Sequence, residues 1–184
     1  MSKLLRQIDR KNIVIQDDFL DLNDSLRIAR YVREEEKFQP ATNDWNSLKY
    51  WHPLDGNVMK SKPYTEYEHM PAIYQKVVDI LQKEVGTNLF KFTFSAFAYT
   101  AGSGFNYHDD GNAILACVLY LNDWKPEWGG ELVTYSPDEK IGMSIVPKKN
   151  RMVFIRKGVK HKIVPVHPSA GYNTRYALAG FFHE

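Results

Sequence analysis

The sequence predicts a mainly β chain with flanking helices: a double-stranded β-helix, or jelly roll, with two N-terminal helices packed on its major sheet. Three observations carry this expectation. From Phe90 onward about eight short apolar segments alternate with turns rich in Gly, Pro and Asn. Upstream, the stretches beginning at Asp21 and Met70 repeat apolar residues at helical spacing instead. Finally, 184 residues are enough for one sizeable core. A single domain over 1–184 is therefore expected, with 1–88 as helical and loop support and 89–184 as the jelly-roll core.

Taken in order, Asn12 to Ile15 reads as a short strand. Asp21 to Phe38 reads as a helix, with Leu26, Ile28, Ala29 and Val32 on its apolar side and Asp21 to Asp24 available as caps. Residues 39–68 show no period and read as a long aromatic loop. Its Trp45, Tyr50, Trp51, His52 and Tyr64 could form a lid or specificity wall, or simply pack locally. The second helix follows from Met70, Ile73, Tyr74, Val77, Ile80 and Leu81, with Pro71 in its first turn and Gly86 at its end. The β pattern then runs through Phe90, Phe92, Phe94, Phe97 and Tyr99, and through the apolar run Ala113 to Leu121. After the turn at Trp128 to Glu131 come Leu132 to Tyr135, Met143 to Val146, Met152 to Arg156, Lys162 to Val166 and Arg175 to Phe182.

With 43% apolar and 25% charged residues the chain has ordinary soluble composition. No membrane span is expected, and Met1 to Arg6 lacks the apolar core of a signal peptide. A lone cysteine, Cys117, cannot form an internal disulfide, so an intracellular, cytoplasmic protein is expected. Its apolar neighbours favour a buried thiol over a reactive one. Charge is unevenly spread: Ile141 to His183 contains no acidic residue but carries Lys148, Lys149, Arg151, Arg156, Lys157, Lys160, Lys162 and Arg175. Either this is a solvated basic face, or an anionic substrate or co-substrate binds near it.

The chemistry-bearing pattern is His108-x-Asp110. Two residues apart on a strand, these side chains share a face, whereas Asp109 points the other way. A second histidine from a later segment, His161 or His167, would close a 2-His-1-carboxylate set on one side of a metal and leave the other side open. An arginine behind it, Arg175, could hold an acidic co-substrate. On ligand type alone, a Zn-dependent hydrolase would use the same three residues.

The motifs Tyr99-x-x-Gly102, His108-x-Asp110, Tyr120-Leu121-Asn122, Gly129-Gly130-Glu131-Leu132, Pro147-x-x-Asn150-Arg151-x-Val153-Phe154, His161-x-Ile163-x-Pro165-Val166 and Arg175-Tyr176-Ala177-Leu178 occur in this order. In sequence and order they resemble the prolyl-4-hydroxylase-like branch of the 2-oxoglutarate- and Fe(II)-dependent dioxygenases. The resemblance spans about residues 88–184, and reaches back weakly to residue 12 through Asp17-Asp18-Phe19-Leu20. It implies a cupin-like fold and makes His108, Asp110 and His161 the iron ligands and catalytic centre, choosing His161 over His167. It also implies that Arg175 pairs with the far carboxylate of 2-oxoglutarate, that Tyr120 donates its hydroxyl there, and that Tyr99 lines the co-substrate pocket.

The cofactor would be Fe(II), with 2-oxoglutarate and O2 as co-substrates and ascorbate allowed as a reductant. 2-Oxoglutarate would be decarboxylated to succinate while an unactivated C–H bond is hydroxylated. Related halogenases keep a small residue in place of Asp110, so the carboxylate favours hydroxylation. Peptidyl proline is the first substrate the resemblance suggests, and a free amino acid or small metabolite the second. Nucleic-acid demethylases carry another Arg six residues after the first; Phe181 stands there, which disfavours that partner. A catalytically silent jelly-roll binding module is the rival, although it would need neither the triad nor Arg175. Two departures stand out. The turn at Pro168 to Asn173 lengthens the His161–Arg175 spacing, and Asn150 stands where Gly is common. Asn tolerates the left-handed turn such a site requires.

Overall fold

The computed structural model describes residues 11–41, 47–49, 58–85, 91–136, 138, 140 and 142–183. Among these, the chain order is β1 (Ile13–Gln16), α1 (Leu22–Glu34), β2 (Phe38–Pro40), β3 (Ser47–Lys49), β4 (Val58–Ser61), α2 (Ala72–Val85), β5 (Phe92–Tyr99) and β6 (Ser103–His108). It continues with β7 (Leu115–Tyr120), β8 (Leu132–Tyr135), β9 (Gly142–Ile145), β10 (Met152–Arg156), β11 (His161–Ile163) and β12 (Arg175–Phe182). The strands form a seven-stranded sheet, β1-β10-β7-β12-β5-β4-β2, and a five-stranded sheet, β3-β6-β11-β8-β9. Every pairing is antiparallel. This is the expected jelly roll with two helices on the major sheet.

Alternation along the major strands divides two environments. On β12, Leu178 and Phe182 join Phe92, Phe94, Leu115, Cys117 and Leu119 against the helices. Ala177 and Ala179 of the same strand face the space between the sheets, beside Tyr99 in one cluster and Tyr120 and Val153 in another. The helical layer is sealed by Ile28, Val32, Tyr74, Val77, Val78 and Leu81, all fully buried. Burial stabilises by about 1.5–3 kcal/mol for each large apolar side chain. Asp21 caps α1 by accepting from the Asp24 amide at 2.9 Å. Asp24 is itself buried and ion-pairs with Lys76 of α2, tying one helix to the other.

Three expectations need correction. Helix α1 ends at Glu34, short of Phe38. The apolar period stops after Val32, and the Glu36 carboxylate accepts from the Tyr74 hydroxyl at 2.7 Å and the Tyr64 hydroxyl at 3.2 Å. Phe38 can then start a strand against β4. The supposed loop 39–68 contributes β3 and β4 and the end of β2, each only three or four residues long. Segments so short carry no readable period. Tyr64 is no lid: it bridges to Phe94 and packs edge-on against Tyr74 on the helical side. Trp45, Tyr50, Trp51 and His52, like Gly86, lie outside the described residues. Strand β11 is also shorter than expected, with a register irregularity between His161 and Ile163 and a proline at position 165 that cannot donate to a ladder.

Asn150 has φ 61°, the left-handed turn anticipated from its type. Its side chain accepts from the Leu20 amide at 2.9 Å and donates to the Leu20 carbonyl at 2.8 Å, fastening the segment before α1 to the β10 turn. A glycine there would supply the turn but not this clasp.

Candidate active site

His108 ends β6 and His161 begins β11, and these residues are direct cross-strand partners. Their rings lie 4.4 Å apart between centroids. Each Nδ1 is set against a carbonyl two residues earlier in its own chain, Asn106 for His108 and Val159 for His161, the latter at 2.9 Å. With the proton held on Nδ1, each Nε2 lone pair is left to act as a ligand. Asp110 lies just beyond the strand, in the turn that closes when the Ala113 amide donates to its carbonyl at 3.2 Å. Its Oδ1 is 3.9 Å from His108 Nε2 and 3.7 Å from His161 Nε2.

One ligand atom from each of the three residues fits within 4.8 Å of the others. Burial raises the Asp110 carboxyl above its ordinary range, opposed by the neighbouring imidazoles, and lowers His161. Two neutral imidazoles and one carboxylate are the donor set a divalent first-row ion accepts, and they leave part of its coordination sphere open. Asp109 stays out of the triad and pairs with Lys160 at 2.9 Å. His167 is an exposed cap of the turn at Pro168 to Ala170, with Nδ1 near Ser169, and has no place in this cluster.

The triad opens into a cavity of about 240 Å³ between the sheets. Arg175, the first residue of β12, lines it and is only 1% exposed. Its guanidinium carbon lies 4.6 Å from the Tyr99 ring centre and 4.8 Å from that of Tyr120. Stacking on two rings accounts for the cation's faces and leaves its edge donors. None of its three nitrogens has a hydrogen-bond partner among the described residues, and neither does the buried Tyr120 hydroxyl. Buried donors of this kind are rarely left unmatched. Arg175 lines the cavity with Tyr120 beside it, and a guanidinium so placed is what a buried carboxylate would satisfy.

Residues 94–183 match the family model described as the 2OG-Fe(II) oxygenase superfamily. Those residues carry a domain of that superfamily. No curated protein matches it. Among solved structures, a prolyl-4-hydroxylase of Pseudomonas putida superposes with a TM-score of 0.75 at 19% identity, covering 98% of this chain and 97% of that one. A Trichoplax adhaerens prolyl hydroxylase, solved with a hypoxia inducible factor oxygen degradation domain peptide fragment, gives 0.70 at 16% identity, covering 98% and 87%. HygX of Streptomyces hygroscopicus, with nickel and 2-oxoglutarate bound, gives 0.71 at 9% identity, covering 100% and 87%. The fold of this oxygenase is thus the prolyl-hydroxylase-like jelly roll.

Fe(II), 2-oxoglutarate and O2 are what the superfamily uses, and the residues present fit them: a three-donor cluster for the metal and a buried, unmatched Arg–Tyr pair for the dicarboxylate. The oxygenase also has a feature the motifs did not reveal. Lys60 of β4 lines the same cavity, with Nζ 5.4 Å from the Phe97 ring centre. It lies in the segment read as an aperiodic loop, so nothing in the local pattern assigned it an inward face. Cys117, by contrast, is fully enclosed on the helical side, and burial pushes its thiol up to about 12, so it is inert.

Proposed function

We propose that this oxygenase is a peptidyl prolyl hydroxylase in which His108, Asp110 and His161 hold Fe(II), while Arg175 and Tyr120 hold the far carboxylate of 2-oxoglutarate. The observation that carries the co-substrate assignment is the buried guanidinium of Arg175, none of whose nitrogens has a hydrogen-bond partner of good geometry among the described residues, set between the rings of Tyr99 and Tyr120. Such a site binds a dicarboxylate by supplying donors already desolvated and oriented, so little reorganisation is needed on binding. Bound Fe(II) with 2-oxoglutarate supplies O2 activation, releasing succinate and CO2 and hydroxylating a C–H bond. The chain's own part is positional. Asn106 and Val159 carbonyls fix the imidazoles, and the apolar walls of Phe97, Phe105, Val118 and Phe181 exclude water around the reacting centre. Tyr99 orients Arg175 from the wall opposite Tyr120.

The prolyl assignment is supported by the likeness in fold to the Pseudomonas putida prolyl-4-hydroxylase over nearly the whole of both chains. We read 1–184 as one domain, acting inside the cell without membrane attachment; among the described residues no helix is long and apolar enough to cross a membrane. The test is anaerobic addition of Fe(II) and 2-oxoglutarate, which should produce a visible charge-transfer band, followed by O2 and measurement of succinate. A prolyl peptide should then gain the mass of one oxygen. A protein that forms no band and releases no succinate would be the silent jelly-roll module instead.

A further inference from the structure

The charged residues lining the cavity are Lys60, His108, Asp109, Asp110, His161 and Arg175. Asp109 is neutralised by Lys160. With both imidazoles neutral, a divalent ion and the Asp110 carboxylate leave one positive charge. Arg175 and Lys60 add two more, and the 2-oxoglutarate dianion removes two. One positive charge remains. Its natural owner is Lys60, because Arg175 lies between Tyr99 and Tyr120 where the dicarboxylate is placed.

Lys60 has no ion-pair partner among the described residues; its ammonium lies over the ring of Phe97. The register of β4 on β5 sets Lys60 directly opposite Phe97, which packs with Tyr99 and Phe105 between the sheets. The residue is half-buried, and among the described residues nothing answers its charge. Ordinary surface lysines do not need an answer, but a cation on the wall of an apolar cavity gains strongly from an anion brought there. The position also lies outside residues 94–183, the span that the family model matches.

We propose that Lys60 is a specificity-determining residue that receives a carboxylate of the prime substrate. Resting on the oxygenase reading above, this narrows the substrate class to molecules whose reacting carbon lies near a carboxylate. That carboxylate belongs either to a free imino acid or to an acidic side chain beside a peptidyl proline.

The test uses the full chain loaded with Mn(II) and 2-oxoglutarate without O2, titrated calorimetrically with two matched pairs: L-proline against L-prolinamide, and the blocked peptide Gly-Pro-Glu against Gly-Pro-Gln. The acid of one pair should bind about tenfold or more tightly than its amide, and which pair shows this identifies the source of the carboxylate. Lys60→Met should erase the preference, Lys60→Arg should keep most of it, and 2-oxoglutarate should bind both variants as it binds the parent chain. That last titration also reports that the variants are folded. Equal binding of acid and amide in both pairs, binding of neither acid, or a loss of 2-oxoglutarate affinity in Lys60→Met would each overturn the inference. Failure of the oxygenase reading is seen separately, as no charge-transfer band and no succinate from the parent chain.

Discussion

Arg175 is a charge the fold buries before it has a partner, and two expected outcomes follow at the scale of that residue. Removing it as Arg175→Leu should weaken 2-oxoglutarate binding by about thirtyfold or more, since truncating one member of a buried charge pair costs roughly 2–5 kcal/mol. The same change should leave the ligand-free melting temperature unchanged or higher, because a buried cation with no matched donor gives way to an apolar side chain. Melts with and without 2-oxoglutarate would show both effects. Gly130 is the second point of leverage. It has φ +73°, and a Cβ placed there would sit 3.0 Å from Arg175 Cδ. Gly130→Ala should therefore cost about 1–2 kcal/mol from the left-handed backbone, and it should raise the KM for 2-oxoglutarate by displacing the guanidinium. A variant whose KM is untouched would show that Arg175 relaxes freely.

At the scale of elements, the segment before α1 is held to the β10 turn by Asp17, which accepts from Arg151 Nε at 2.6 Å and from Lys148 at 2.8 Å. Arg151 chiefly, then Lys148, holds the Asp17 carboxyl well below the usual carboxylate range. Its folded value lies below its unfolded one, so the stabilisation is present in full above about pH 4 and fades as pH falls further. Asp17 is about one-third exposed. Asp17→Asn should therefore cost no more than about 1 kcal/mol at neutral pH, and the gap to the parent should close in strong acid, as denaturant midpoints across pH would record.

Elements differ in how openly the sequence declares them. Strands β10 and β12 and the start of α1 coincide with their apolar runs and the Asp21 cap, because local pattern and tertiary burial agree there. The clustering of His108, Asp110 and His161 and the inward place of Arg175 follow from motifs at strand ends, with Asp110 just beyond one. Lys60 and strands β2 to β4 were not legible in this way. Three or four residues cannot show a period, and their faces are set only by what they pair with.

Across the whole molecule, the site is made from residues far apart in sequence that meet only when both sheets have formed. The metal and co-substrate should therefore bind the folded chain alone and stabilise it by mass action. At a hundredfold excess over its Kd, a ligand contributes about 2.7 kcal/mol, which for a chain of this length raises the melting temperature by roughly 5–10 °C. Mn(II) with 2-oxoglutarate should produce that rise in the parent and lose the 2-oxoglutarate share of it in Arg175→Leu, as scanning calorimetry would register.

The position of β12 has a further consequence. Its neighbours β7 and β5 are both earlier in the chain, and it lies between them, paired along nearly its full length with each. As the polypeptide emerges during synthesis, β5 and β7 must wait with facing edges unpaired until the last strand arrives. Through that interval the chain is open to pairing with another copy of itself. The event that ends this exposure also delivers Arg175, so the buried cation reaches the cavity wall only when the vulnerable gap closes.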